Sequence, residues 1–340
     1  MSKIPVAVIG ASGFTGLELI KILLNHPYFE IALLGGSSQS EAICSAHPSL
    51  KAVYDAKIEK SDPDLIADRA KLAFLAVPHK QAVAIAKALL ERGVKVVDLS
   101  ADYRLRQPTY EAAYGVKHDD AENLARAVYG LRELAGDKAI ARAALVANPG
   151  CYPTASILAA LPFLPYVDLN QAIIIDAKSG VSGAGRQCVE RTHFVTANEN
   201  CFTYSPITHR HAPEIKEKLS IAADAPVEIV FVPHLLPITR GMLASVYLRL
   251  KTPIGDPAQI ARAFYADNPF VRIRDESVQI KHIAGTHYCD LFCLTCGDTL
   301  FVQTAIDNLL RGASSAAIAN ANLMCDLPYE TALPTIAYAP

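Results

Sequence analysis

Residues 4–9, IPVAVI, form an unbroken apolar run, and residues 10–16 read GASGFTG. A continuous apolar strand suits the middle of a parallel sheet covered on both faces. An amphipathic segment, 17–25, follows the glycines and reads as a helix. Strand, glycine turn and helix in that order restrict the fold to one built from βα units. The spacing is GxxGxxG, a variant of the usual dinucleotide fingerprint. Glycines at 10 and 13 let the backbone approach a pyrophosphate, and Gly16 lets the helix pack on the strand. The expected contacts to a dinucleotide are Gly10, Ser12, Gly13, Phe14, Thr15 and Gly16.

A second strand, 30–34, runs into Gly35, Gly36, Ser37 and Ser38. Sites selective for NAD usually carry an acidic residue here, to hold the ribose 2′-hydroxyl. Small hydroxyl side chains at 37 and 38 leave room for a 2′-phosphate and point to NADP(H). Glu41 is near enough to keep the NAD reading open. Further on, a buried strand at 72–77, a helix at 81–92 and a strand at 94–99 continue the alternation of a doubly wound parallel sheet. Pro78 and His79 fall at a strand's carboxyl end, where such sheets bind ligands. Pro78 is expected at the cofactor; His79 either lines that cleft or caps the next helix. Residues 107–130 are polar and poorly periodic, and read as a long excursion before the sheet resumes at 143.

Asn148-Pro149-Gly150-Cys151-Tyr152-Pro153-Thr154-Ala155 follows a short strand at 143–147. Pro149 and Gly150 force a turn, and Pro153 suits the first turn of a helix, where its missing N–H costs nothing. Cys151 therefore falls at or just before a helix N-terminus, where unpaired amides and the dipole favour the thiolate. That makes it a candidate nucleophile; a buried, inert cysteine is the plain alternative.

Four other stretches carry reactive or cationic groups. Arg104, in DLSADYR at 98–104, sits after a strand; it is either a phosphate or carboxylate clamp or a surface partner of Asp102 or Glu111. The segment KSGVSGAGR at 178–186 offers amides and hydroxyls, plus Lys178 and Arg186, to an anion. THRHAPEI at 208–215 places His209 and His211 beside a helix start, as candidate acid/base partners for a cysteine. Arg240, before Gly241 at a strand start, is a candidate carboxylate clamp. Apolar segments at 227–232, 243–250, 289–295 and 300–304, with fewer helices between them, predict a largely antiparallel sheet in the second half. An Ala-rich helix at 313–324 is expected to pack closely against the first domain.

A chain of 340 residues with a net charge of −2 fits two domains and disfavours a nucleic-acid partner. No apolar run approaches the ~20 residues of a membrane span, and no signal peptide precedes the first strand. The eight cysteines are scattered singly, which fits a reducing cytoplasm. Cys289, Cys293 and Cys296 lack a second CxxC and read as core residues, so no metal is expected.

Taken in order, GASGFTG, DLSADYR, NPGCYPTA (148–155), SGVSGAGR (179–186), THRHAPEI, TRG (239–241) and DNLLRGA (307–313) resemble the N-acetyl-γ-glutamyl-phosphate reductases of arginine biosynthesis, essentially end to end. The resemblance implies an α/β chain with a Rossmann-type NADP domain at 1–147, completed by 312–340. A second α+β domain at 148–311, with a largely antiparallel mixed sheet, would carry substrate binding and oligomerisation. It implies Cys151 as nucleophile and the histidines as acid/base, His211 preferred over His209. Ser182, Gly183 and Asn308 are expected at the cofactor, and Arg104, Asn148, Ser179, Arg186 and Arg240 at the substrate. The chain departs from the family at Ser315, Ala316 and Ala319, where more Gly and Gln are expected. The implied reaction is NADPH-dependent reduction of an acyl phosphate through a cysteine thioester, in a dimer or tetramer. Alternatives are an acyl-phosphate reductase for aspartyl phosphate or carrier-bound aminoadipate, a non-catalytic NADP sensor, and a cysteine hydrolase. The last leaves the glycine motif unexplained.

Overall fold

The structure is a computed structural model that describes residues 3–36 and 41–338. Ser37 and Ser38 lie outside the described residues. The chain divides into two compact units. The first runs to Pro149 and takes in Ala313–Pro334; the second is Gly150–Gly312 together with the tail from Thr335. One crossing point thus falls inside the NPGC motif, and another inside RGA. The expected completion of the first domain over 312–340 stops at Pro334, because the tail is tied elsewhere: the Tyr338 amide donates to Ala284 O (2.9 Å) in the second unit.

The first unit is a seven-stranded sheet. Its strands are β1 (Ile4–Ile9), β2 (Phe29–Gly36), β3 (Ile58–Lys60), β4 (Leu72–Leu75), β5 (Lys95–Asp98), β6 (Val128–Tyr129) and β7 (Leu145–Ala147). Every pairing is parallel, in the order β3-β2-β1-β4-β5-β7-β6. The four residues of β4 and the last four of β1 are buried, as expected of strands covered on both faces. Strand order reverses about β1, so the carboxyl ends of β1 and β4 flank the crevice where such sheets bind ligands. The 107–130 segment is more regular than its pattern suggests. Helix Gln107–Tyr114 has a proline in its first turn, buries Tyr110, and ends at left-handed Gly115; helix Ala121–Arg126 and β6 follow. With one apolar anchor per short helix, the 3.6-residue period is too faint to read.

A second seven-stranded sheet forms the other unit. It contains β8 (Ile173–Gly180), β9 (Phe202–Thr203), β10 (Ile229–Leu236), β11 (Met242–Arg249), β12 (Val271–Ile273), β13 (Cys289–Cys296) and β14 (Thr299–Ile306), in the order β12-β13-β14-β11-β8-β10-β9. β8 pairs parallel with β10, and β12 with β13; the remaining pairs are antiparallel, so the sheet is mixed. Helix Cys151–Ala160 packs on this sheet, with Thr304 Oγ1 donating to Ala155 O (3.0 Å). Every residue from Tyr152 to Ala160 is buried, which is why the helix shows no apolar stripe.

Candidate active site

Two features of the first unit fit a dinucleotide. Gly10 has φ +88°, and a Cβ there would stand 2.2 Å from Ala76 O, so no other residue is accommodated. At Gly16 a Cβ would stand 2.5 Å from Gly10 O, so helix and turn touch through backbone. Helix Phe14–Leu24 begins at the motif, three residues earlier than the pattern suggests, and no side chain caps it at Gly13. Its first amides are thus oriented for a pyrophosphate. Ser12 and Thr15 are half-buried, while Phe14 and Pro78 are exposed.

Arg104 is not a surface ion pair. It is buried, and its Nε and Nη2 donate to Asn148 O and Leu99 O, both at 2.8 Å. Asn148, also buried, donates to Ala313 O (3.1 Å) and accepts from Asn320 Nδ2 (3.0 Å). Both residues therefore fix the backbone that leads into Gly150. The buried Asp102 accepts from the amides of Lys80 (2.9 Å) and Ala82 (3.3 Å) at the start of helix Ala82–Glu91, with His79 Nδ1 3.3 Å away. Asp102, not His79, holds that helix start.

In the second unit Cys151 is the first residue of its helix, with Gly150 as N-cap. The Gly150 amide donates to the buried carboxylate of Glu214 (3.0 Å), and Gly150 O accepts from the Thr154 amide and Oγ1, both at 2.9 Å. The turn is therefore held on both sides. Gly312 lies against Cys151: a Cβ there would be 2.6 Å from Cys151 Cβ and 2.7 Å from Asn308 O.

Tyr152 anchors the other side. Its ring meets His209 and His211 edge-on at centroid distances of 5.6 and 5.9 Å, and the two imidazoles are 4.9 Å apart. Tyr152 Oη donates to His234 O (3.1 Å) and accepts from Tyr204 Oη (2.9 Å). Burial pushes the Tyr204 phenol up to about 12, with the charge of Cys151 adding to the rise. His209 Nδ1 accepts from the His211 amide (3.1 Å), so the neutral ring carries its proton on Nε2. Burial, then the charges of Arg210 and Arg191, lower His209 to about 4. At neutral pH it is an uncharged bracket for the His211 backbone.

A third cluster joins three of the motifs. The amides of Gly180, Val181 and Ser182 donate to Gly241 O, Ile238 O and Thr239 O at 2.9, 2.9 and 3.1 Å. Asn308 closes the cluster, accepting from the Gly241 amide (2.7 Å) and donating to Ser182 Oγ (3.0 Å). Gly183 is exposed, close to Ser179 and Asn308. Lys178, Ser179 and Gly180 are strand rather than loop, because β10 and β11 both pair with them or their neighbours. Arg240 pairs with buried Asp307 (3.3 Å), and Arg186 is exposed.

Residues 5–143 match the family described as semialdehyde dehydrogenase, NAD binding domain, and residues 151–308 that described as semialdehyde dehydrogenase, dimerisation domain. The chain is 53% identical over 340 residues to the N-acetyl-gamma-glutamyl-phosphate reductase of Wolinella succinogenes, covering 100% of both chains. It is 55% identical to that of Campylobacter curvus over 336 residues, 99% of each. The chain belongs to the N-acetyl-gamma-glutamyl-phosphate reductase family. The first unit of this reductase-family chain accordingly carries a nicotinamide-dinucleotide-binding domain. Aspartate semialdehyde dehydrogenase II from Vibrio cholerae, at 15% identity, superposes with a TM-score of 0.73 over 96% of this chain and 99% of its own. The enzyme from Candida albicans gives 0.69 at 14% identity, over 95% and 99%. These two share the fold.

For a member of this reductase family, two residues beside the cysteine, and one beside Tyr204, escape the sequence reading. Glu214 looks like an ordinary first-turn acid of its helix, and Gly312 like a residue that merely precedes one. Arg191 stands in an exposed segment with no motif, yet its guanidinium lies 5.4 Å from the Tyr204 ring centroid. Only long-range contacts separate these from bland positions.

Proposed function

We propose that this chain reduces N-acetyl-γ-glutamyl phosphate to N-acetyl-L-glutamate 5-semialdehyde, releasing phosphate, in arginine biosynthesis. The observation that carries the reading is Cys151 at the head of a buried helix, its turn tied to Glu214 and its Cβ against Gly312, with Tyr152 packed on two histidines. Cys151 Sγ attacks the acyl carbon, the carbon–oxygen bond to phosphate breaks, and a thioester remains. Amides at the head of helix Cys151–Ala160 stabilise the oxyanion formed on the way. Gly10, Ser12, Gly13, Phe14, Thr15 and Gly16 would hold NADPH, whose chemistry when bound would be hydride donation. The thiohemiacetal on Cys151 then collapses to the aldehyde and frees the thiolate. His211 moves the proton, since His209 is held neutral by burial and its amide contact. Arg240 takes the substrate carboxylate. Arg104 holds the leaving phosphate, with Asn148, Ser179, Arg186 and Arg191 at the substrate; Arg104 and Asn148 also tie the chain before Cys151. Preference for NADP over NAD rests on Ser37 and Ser38. A thiolate nucleophile must stay reduced, which suits the cytoplasm.

A homo-oligomer is part of this proposal. Ile174, Tyr247, Phe301 and Leu294 are successive cross-strand partners on β8, β11, β14 and β13, so they share one face. Ile174, Tyr247 and Leu294 are exposed. A contiguous apolar row of this kind marks an interaction face, and a second copy fits the match to a dimerisation domain.

The deciding experiment is the reverse reaction. N-acetylglutamate semialdehyde and phosphate are supplied with NADP or NAD, and reduced nicotinamide is followed by absorbance. Phosphate-dependent reduction is expected, faster with NADP, and absent in Cys151→Ser, which still binds cofactor. Turnover only with aspartate semialdehyde, or turnover by the serine variant, would overturn the reading.

A further inference from the structure

The C-terminal tail returns to the second unit and brings Tyr338 beside Arg240. The Tyr338 amide donates to Ala284 O (2.9 Å), and its ring lies flat enough on Gly285 that a Cβ there would be 2.9 Å from three ring carbons. The Arg240 guanidinium lies 5.4 Å from the Tyr338 ring centroid. Asp307 is fully buried; its Oδ2 accepts from Arg240 Nη1 (3.3 Å) and from the Gly285 amide (2.7 Å). Its Oδ1 accepts from the amides of Leu309 (2.9 Å) and Leu310 (3.1 Å), which lead to Gly312 and so to Cys151. Arg240 is thus held between a carboxylate fixed by three amides and an aromatic face fixed by the tail.

We infer that Tyr338 is a positioning residue for Arg240 and so sets affinity for the substrate's carboxylate end. The inference rests on the proposed role of Arg240. A guanidinium has many rotamers, and binding a carboxylate in two parallel bonds requires one of them. Asp307 restrains one Nη; the Tyr338 ring restrains the plane. Tyr338 is 58% exposed, so its removal loosens Arg240 without opening a core. Its effect therefore belongs to binding, not to the stability of the unit.

The test uses the full chain in the reverse reaction, with N-acetylglutamate semialdehyde as the varied substrate. Tyr338→Ala is expected to raise KM for the semialdehyde about tenfold, roughly the value of a partly desolvated cation–π contact. kcat, KM for phosphate and KM for cofactor should stay within twofold, and the thermal midpoint should not move. Tyr338→Phe keeps the ring and should restore the native KM. Arg240→Gln should raise the same KM further, and in the double variant Tyr338→Ala should add nothing. A native KM in Arg240→Gln would remove the proposed role of Arg240 itself. A raised KM in Arg240→Gln with a native KM in Tyr338→Ala would overturn the tail's role alone. So would a fall in kcat and thermal midpoint together in Tyr338→Ala, which marks a structural part.

Discussion

At Gly312 the absence of one methyl group decides whether Cys151 can sit where it does. A Cβ would meet Cys151 Cβ at 2.6 Å and Asn308 O at 2.7 Å, and the second of these is backbone that cannot swing aside. Gly312→Ala is expected to fold with a loss of about 1–3 kcal/mol and to lose about 10²-fold in kcat from misplacement of the thiol. Steady-state rates and iodoacetamide labelling of Cys151 would check both. The two histidines separate in the same way. Asn at 209 keeps an acceptor for the His211 amide, so His209→Asn should retain most activity, whereas His211→Asn should lose about 10²–10⁴-fold. His209 also links stability to pH. Its folded value, about 4, lies below the ordinary 6.5, so the unfolded chain binds the extra proton between those limits. Stability from the neutral ring is complete above about 6.5 and is lost as pH falls toward 4. Urea midpoints of native and His209→Asn chains should therefore converge as pH is lowered.

Among the elements, helix Cys151–Ala160 and helix Ala212–Ala223 are tied at their heads by the bond from Gly150 N–H to Glu214. The bond fixes the angle at which the first helix presents Cys151. Glu214→Ala strands a buried amide and should cost about 1–3 kcal/mol, with kcat falling alongside. Glu214→Gln keeps an acceptor and should recover most of both. Thermal melts beside initial rates would distinguish these outcomes from a purely catalytic role. Helix Ser314–Met324 shows how a sequence pattern can be right about packing and silent about partners. Its alanines permit close approach, and every residue is buried. Its two asparagines make specific bonds: Asn320 to Gly130 O and Asn148, Asn322 to His26, Tyr329 O and Thr331 O. Five acceptor or ring atoms scattered over the first unit meet there, and none carries a local signal.

For the whole molecule, the apolar row Ile174–Tyr247–Phe301–Leu294 predicts assembly. Tyr247→Asp with Leu294→Asp should lower the sedimenting mass while leaving the far-ultraviolet dichroism unchanged. Native mass in that variant would remove the row as the interface. The row is invisible in one dimension because its four members come from four different strands, β8, β11, β13 and β14. Only strand register sets them side by side.

The order of elements and the motifs between them are local properties, and the sequence by itself determined them. Apolar runs ending in glycine turns give a parallel sheet with a dinucleotide cradle, and NPGCYP places a cysteine at a helix start. Those features depend on backbone sterics and dipoles within a few residues. Tertiary structure alone decided what each group touches. It buried Arg104 and tied it to Asn148, made Glu214 and Gly312 the supports of Cys151, and brought Tyr338 to Arg240. The reason is that hydrogen-bond and van der Waals partners are chosen by distance in space, and chain separation carries almost no information about that once two units have folded.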